Sequence, residues 1–355
     1  MGGLTKSERL ALAACAVLTV LAGVANGGEW AAVPRFALAT LALAGLAWVV
    51  SFATEQLGER FGPGVTGMLQ STLGNLPELF VVIFALQKNE LVVAQTAIVG
   101  SILANAMLVL GLVFVVGARR SPDGTMRFSK RLPRDTATLL LLAVFIIVLL
   151  GLSLGSHDPA SHHVKTISAV GAVCLLVVYA AWVVPYLRSD RAPQAGEDGR
   201  TGPRLTLPVT VTLLVVAGVA SAFVSDWFVA ALAPAIHELN LSQAFAGLVI
   251  VALAGNAVEN TAGLVLAYKR QNDLAISVVK NSVAQIAAFL FPLLVLVSFA
   301  LSTTLTFALS PVLTGALALG ALALWQVSGD GEAAEFEGWA LVSLYVVLAA
   351  LTLYE

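Results

Sequence analysis

A chain of 355 residues that is 59% hydrophobic, 11% charged and carries a formal net charge of −2 is excluded from the soluble globular class, where charged residues run near a quarter. The near balance of charge, without an extended basic face, argues against nucleic acid as a partner. Cys15 and Cys174 fall in separate apolar segments, so they read as small buried hydrophobes rather than a disulfide framework or a metal site.

Apolar runs of about 18 residues or more read as membrane-crossing helices. Eleven are predicted, over 9–27, 34–54, 65–87, 91–118, 136–155, 164–187, 206–232, 242–268, 273–300, 304–326 and 336–354. Lys6 and Arg9 ahead of a short apolar core, with Gly23-Val24-Ala25 after it, would also suit a cleaved signal peptide. The rest of the architecture is the same on either reading. With the N-terminus in the cytoplasm, one side receives Lys6, Arg9, Arg60, the cluster Arg119 to Arg134, Arg188, Arg191, Arg200, Arg204, Lys269 and Arg270. The other side receives only Arg35, Lys88 and Lys165, and this bias orients the chain. Short loops in one compact chain fit a prokaryotic cytoplasmic membrane. The polar loops 119–135 and 327–335 are too short to fold as domains.

The third span contains Gly74-Asn75-Leu76-Pro77-Glu78, and the eighth contains Gly255-Asn256-Ala257-Val258-Glu259. Ser101 and Ser282 recur at the same offset. A charged side chain at the centre of a bilayer costs about 3 kcal/mol, so an ionisable residue there is read as functional. Five spans separate the third from the eighth, and an odd number turns the second copy upside down. The expectation is an all-α integral membrane protein with an N-terminal transmembrane helix (1–30). Two inverted five-helix repeats (31–187 and 206–355) follow, joined by a cytoplasmic linker (188–205). The repeats are related by a pseudo-two-fold axis in the membrane plane, which brings the two glutamates to facing positions near the midplane.

Pro77 cannot donate to the carbonyl of Leu73, which predicts a kink or break just before Glu78. In lipid a freed carbonyl needs a partner, and a bound cation is one. Gly74 and Gly255 permit close backbone approach, while Asn75 and Asn256 offer amide oxygens. With Glu78 and Glu259 these groups form an all-oxygen set suited to a hard cation such as Ca²⁺. Burial and mutual repulsion oppose double ionisation of an empty pair. Metal binding and proton uptake are then competing ways of neutralising the same charge, which is the basis of exchange.

These twin motifs resemble the paired glutamate motifs of the calcium/cation exchanger superfamily. The wording Ala53-Thr54-Glu55-Gln56-Leu57 and Leu73-Gly74-Asn75-Leu76-Pro77-Glu78-Leu79 is similar to its H⁺-coupled Ca²⁺ (CAX) branch. Gly100-Ser101-Ile102-Leu103-Ala104-Asn105 and Asn281-Ser282-Val283-Ala284-Gln285-Ile286 look like the companion motifs. The resemblance implies an antiporter in which Glu78 and Glu259 bind Ca²⁺ and protons alternately, with Ser101, Asn105, Ser282 and Gln285 lining the site. Coupling to Na⁺ or K⁺, or carriage of Mn²⁺, is the alternative on the same scaffold. Expected partners are Ca²⁺ and H⁺ as transported ions and the lipid bilayer, with no cofactor; self-association into a homo-oligomer is left open.

Three departures from the pattern stand out. Asn260 follows Glu259 where the family carries His, and the linker is mixed in charge rather than acidic. Lys280 replaces a small apolar residue and is expected either to face the cavity or to snorkel to the cytoplasmic end of its helix. Glu55 and Asp226 are candidates for a gate or proton relay, or for water-exposed helix ends. His157, His162 and His163 read as a solvated loop, and Glu332, Glu335 and Glu337 as a solvated acidic turn. No H-E-x-x-H pattern and no Ser/His or Asp/Asp pair within the spans points to an intramembrane enzyme.

Overall fold

The computed structural model describes residues 4–28, 30–58, 73–129, 131–189 and 204–355. Among these, nine helices are long and apolar enough to cross a bilayer, and a bent pair supplies a tenth. The remaining expected span, 65–87, is described only from Leu73 onward. The chain packs as two compact units, one of Met1–Phe84 with Ala180–Asn240 and the other of Ala85–Tyr179 with Leu241–Glu355. Neither unit coincides with a sequence repeat, since each draws on both halves of the chain.

The first unit is built from α1 (Lys6–Gly27), α2 (Ala32–Gly58), the start of α3 (Leu76–Gln87) and α7 (Leu207–Glu238). Thr5 and Glu8 form a capping box that starts α1, satisfying amides that would otherwise be orphaned. α2 lies along α7, with Phe36 and Phe228 rings 5.0 Å apart. Cys15 is buried where Gly45 leaves room for its sulfur. Residues 190–203 of the expected linker lie outside the described residues, but its far end is pinned. Leu205 joins a small core with Leu4 and Phe52. The Arg204 backbone amide donates to Gln56 Oε1 at 2.9 Å, and its guanidinium pairs with Glu8 at 2.8 Å. The end of the linker is thus clasped to the start of α1 and the end of α2.

The second unit holds α4 (Leu91–Arg120), α5 (Arg131–Ser156), the first part of α6 (Val164–Ser189), a bent pair made of α8 (Gln243–Gly255) and α9 (Ala257–Tyr268), α10 (Asn272–Ser298), α11 (Pro311–Ser328) and α12 (Glu335–Leu353). α11 begins later than the predicted 304–326. Ser310 caps it and Pro311 fills its first position, while residues 301–310 stay non-helical. Those residues are held by bonds such as Leu305 N to Ser298 Oγ at 2.9 Å and Phe307 N to Ser168 Oγ at 3.2 Å. Hydroxyl side chains that satisfy the backbone locally compete with helix. Cys174 is exposed on α6, contrary to the expected burial, on a face it shares with exposed Val170, Val173 and Val177.

The polar loops do not fold as domains, but they pair. β1 (Thr125–Arg127) and β2 (Glu332–Ala334) form an antiparallel ladder. The expected solvated acidic turn is engaged throughout. Glu332 pairs with Arg127 at 3.4 Å and Glu335 with Arg119 at 2.6 Å, while Glu337 accepts the Ala334 amide at 2.7 Å. The Arg127 side chain bonded to Asp123 holds that carboxyl below its usual range. A depressed carboxyl contributes stability above its unfolded value and loses it only as pH falls through the folded value, so this contact is intact at neutral pH.

α4 and α8 approach most closely where Gly100 faces Leu248 and Gly247 faces Thr96. A Cβ built on Gly100 would lie 2.6 Å from Leu248 Cα, a backbone atom that cannot swing aside. Gly100→Ala is therefore expected to destabilise the protein by about 1–3 kcal/mol, read as a lower melting temperature of the purified chain in detergent. A neutral effect would show that this helix contact is not close-packed.

Candidate cation site

Both glutamate motifs open a helix directly after a Gly-Asn turn. Leu73 is helical, Gly74 and Asn75 form a turn, and α3 opens at Leu76 with Glu78 in its first turn. In the second unit α8 ends at Gly255, Asn256 turns, and α9 opens at Ala257 with Glu259 in its first turn. The axes of α8 and α9 diverge by 61°. The two openings share the same backbone bond, Leu79 N to Asn75 O at 2.9 Å and Asn260 N to Asn256 O at 3.0 Å.

The predicted cause needs correcting at one point. Pro77 does not kink a continuous helix; it occupies the first turn of one that starts afresh, where a missing N–H leaves no bond unmade. The second motif carries Val258 at this position and breaks all the same. The shared Gly-Asn step, rather than proline, is the common feature of the two breaks. Each glutamate consequently stands at a helix N-terminus, where free amides and the positive end of the helix dipole favour an anion.

In the first unit Asn75 and Glu78 are each 6% exposed, and Gly74 is buried. Ser225 of α7 donates its hydroxyl to the Pro77 carbonyl at 3.5 Å. Sequence reading missed Ser225; its signal was the pair Ser221 and Ser225 one helical turn apart in an apolar span. Asp226 and Leu73 line an otherwise apolar cavity of about 580 Å³ between α3 and α7. Glu55 is exposed on α2.

The second unit gathers Ser101, Asn105, Asn256 and Ser282 into one buried network. Asn256 Nδ2 donates to Ser101 Oγ at 3.0 Å and to its own helix at Ala252 O, 2.9 Å. Asn105 Nδ2 reaches Asn256 Oδ1 at 2.9 Å, Ser101 O at 3.0 Å and Ser282 Oγ at 3.2 Å. Asn105 Oδ1, buried as well, has no hydrogen-bond partner among the described residues. Such an oxygen is costly to leave unmade and is available to a cation. Asn260 Oδ1 is in the same condition.

Wide π-helical turns flank these residues, over Ala104–Val109, Ala246–Val251 and Ile286–Leu290. The first and third fall at matching places in the two repeats. Asn105 lies inside one and Gln285 immediately before the other, although Gln285 makes no side-chain hydrogen bond among the described residues. Such turns re-aim side chains and recur at functional sites.

Lys280 reaches toward the end of a neighbouring helix, where Ser328 closes α11. It is wholly buried, and its ammonium bonds Ser328 Oγ on α11, so its long stem lies inside the helix layer. The histidines lie on a short 3-10 turn, Pro159–His163, or just before it. Among the described residues no three His, Cys, Asp or Glu side chains converge as a metal cluster.

Replacing Asn256 by leucine keeps much of the volume and strips Ser101 and Asn105 of a shared partner. The expected cost is about 1–3 kcal/mol in thermal unfolding, whereas Ser282→Ala, at the rim of the network, should cost less. Equal effects would remove Asn256 from its central place.

Comparison with known proteins matches residues 32–186 and 209–354 to the family described as sodium/calcium exchanger protein. A vacuolar calcium ion transporter of Schizosaccharomyces pombe is 32% identical, covering 93% of this chain and 82% of that protein. A Ca²⁺/H⁺ antiporter of Synechocystis is 30% identical, covering 90% and 91%. Among solved structures, the selenium-substituted Ca²⁺/H⁺ antiporter protein YfkE superposes with a TM-score of 0.81 at 25% identity, over 98% of this chain and all of that one.

Proposed function

This chain belongs to the sodium/calcium exchanger family, and from that premise we propose that it is a secondary active antiporter that exchanges Ca²⁺ for H⁺ across a membrane, with Glu78 and Glu259 binding the metal or protons in turn. The observation that carries this reading is the twinned helix opening, which sets each carboxylate in the first turn of a half-helix. There the dipole tolerates the charged form, while the apolar surroundings penalise a carboxylate left bare.

Ca²⁺ and protons are alternative ways of cancelling that charge, so loading one displaces the other. The donors each unit carries are oxygens: the Asn75 amide oxygen and the Leu73 carbonyl in the first, and the amide oxygens of Asn105 and Asn256 with the hydroxyls of Ser101 and Ser282 in the second. Oxygen sets of this kind suit a hard divalent ion. Three relatives bear the name Ca²⁺/H⁺ antiporter, which favours protons over Na⁺ as the counter-ion. Carboxylates titrate, whereas a hydroxyl or amide in their place would not. Each pH unit of gradient supplies about 1.4 kcal/mol per proton, and each net charge moved through 100 mV adds or subtracts about 2.3 kcal/mol. The distribution of Lys and Arg sets the N-terminus in the cytoplasm.

The test is Ca²⁺ uptake into vesicles with an imposed pH gradient and no Na⁺. Glu78→Gln or Glu259→Gln, which removes charge and proton binding alone, should abolish uptake in a folded protein; unchanged uptake in both would falsify the assignment. A dependence of uptake on Na⁺ or K⁺ would transfer the coupling to the alternative ion.

Competition fixes the sign of the pH response. With internal and external pH lowered together, uptake should slow, because protons then hold the carboxylates that Ca²⁺ needs. Asn260→His, adding a titratable group beside Glu259, should move the midpoint of this curve more than the maximal rate. A flat pH profile would remove protons from the cycle.

A further inference from the structure

The loop end of the second unit carries more basic groups than its acids neutralise. Arg119 is taken by Glu335, and Arg127 by Asp123 and Glu332. Asp273 accepts the Ser129 amide at 2.6 Å and forms no ion pair among the described residues, and Asn272 holds the Arg127 carbonyl at 3.1 Å. These bonds stitch the hairpin loop to the turn that follows α9. Arg120, Lys269 and Arg270 are left, all exposed, without an acidic partner among the described residues.

The three are not scattered. Arg120 ends α4 and Tyr268 ends α9, and the Arg120 guanidinium lies 4.5 Å from the Tyr268 ring centroid. Lys269 and Arg270 follow Tyr268 directly, and Arg270 adopts a left-handed φ of 61°, which turns the chain sharply there. Tyr268 itself is 59% exposed, and one turn further into the span Val265 is 43% exposed. An exposed tyrosine at the end of an apolar helix marks the depth of the lipid headgroups. The order along α9 is therefore apolar surface, aromatic ring, then cations.

We propose that Arg120, Lys269 and Arg270, arranged around Tyr268, bind the phosphate of an anionic phospholipid headgroup at the membrane interface. Charge complementarity selects the phosphate, and the exposed apolar surface inward of the ring accommodates the first part of an acyl chain. That surface distinguishes a lipid from free phosphate. The neighbouring Arg119 and Arg127 have their charges already cancelled and lie outside the site.

The experiment is native mass spectrometry of the full-length chain, purified in detergent and titrated with phosphatidylglycerol, phosphatidylcholine or inorganic phosphate. Phosphatidylglycerol should be retained in preference to phosphatidylcholine, and millimolar phosphate should not displace it. Each of Arg120→Gln, Lys269→Gln and Arg270→Gln should weaken retention about fivefold, whereas Arg119→Gln and the charge-keeping Lys269→Arg should change it little. Melting curves recorded in parallel confirm that the variants are folded. Equal retention by wild type and the triple glutamine variant, or ready displacement by inorganic phosphate, overturns the proposal.

Discussion

A helix that stops within the membrane frees amides at one new end and carbonyls at the other, and lipid can bond neither. The rest of this structure depends on how that constraint is met. Gly-Asn steps stop the helix, and the asparagine then supplies what the break removed. Asn256 turns its amide back onto Ala252 and forward onto Ser101, closing one side of the gap with its own side chain. The restarted helix offers its amides to the first-turn glutamate. A break that would otherwise be a defect becomes a place where negative charge and oxygen donors can be kept in oil.

The network around Asn256 in the second unit carries no formal charge. Its four side chains are amides and hydroxyls, with Asn105 donating several bonds from one nitrogen and leaving its oxygen over. Lys280, the one basic side chain described as fully buried, is held away by Ser328 and does not bond any member of the network. The charge to be balanced thus rests with carboxylates, which respond both to a metal and to protons. Neutral donors shape the coordination without competing for the proton.

Much of this was legible from residues alone. Long apolar runs located nearly every described helix, because burial in lipid needs length and hydrophobicity above all. The repeat pointed to Asn256 and, at the same offset, to Ser101 and Ser282, while the resemblance to cation exchangers added Asn105; these four meet in one network. Other features were hidden for definite reasons. The π-helical turns leave no mark in hydrophobic period, since one extra residue in a turn hardly alters an almost uniformly apolar face. Pro77 drew attention away from Gly74 and Asn75, although the second break manages without it. Lys280 could not be placed, because its course depends on Ser328, a residue of another helix. The β1–β2 ladder joins loops remote in sequence, and neither loop has a strand pattern long enough to show by itself.

That ladder has a consequence for how the chain is made. Arg127 and Glu332 are 205 residues apart, and a ribosome delivers them in that order. The first loop must therefore wait on its side of the bilayer, its strand edge unpaired, while seven of the later helices emerge and insert. Its ion pairs with Glu332 and Glu335 form late, so closure of this surface reports that most of the polypeptide has already threaded correctly. Separation of this kind slows folding, so this loop surface closes among the last.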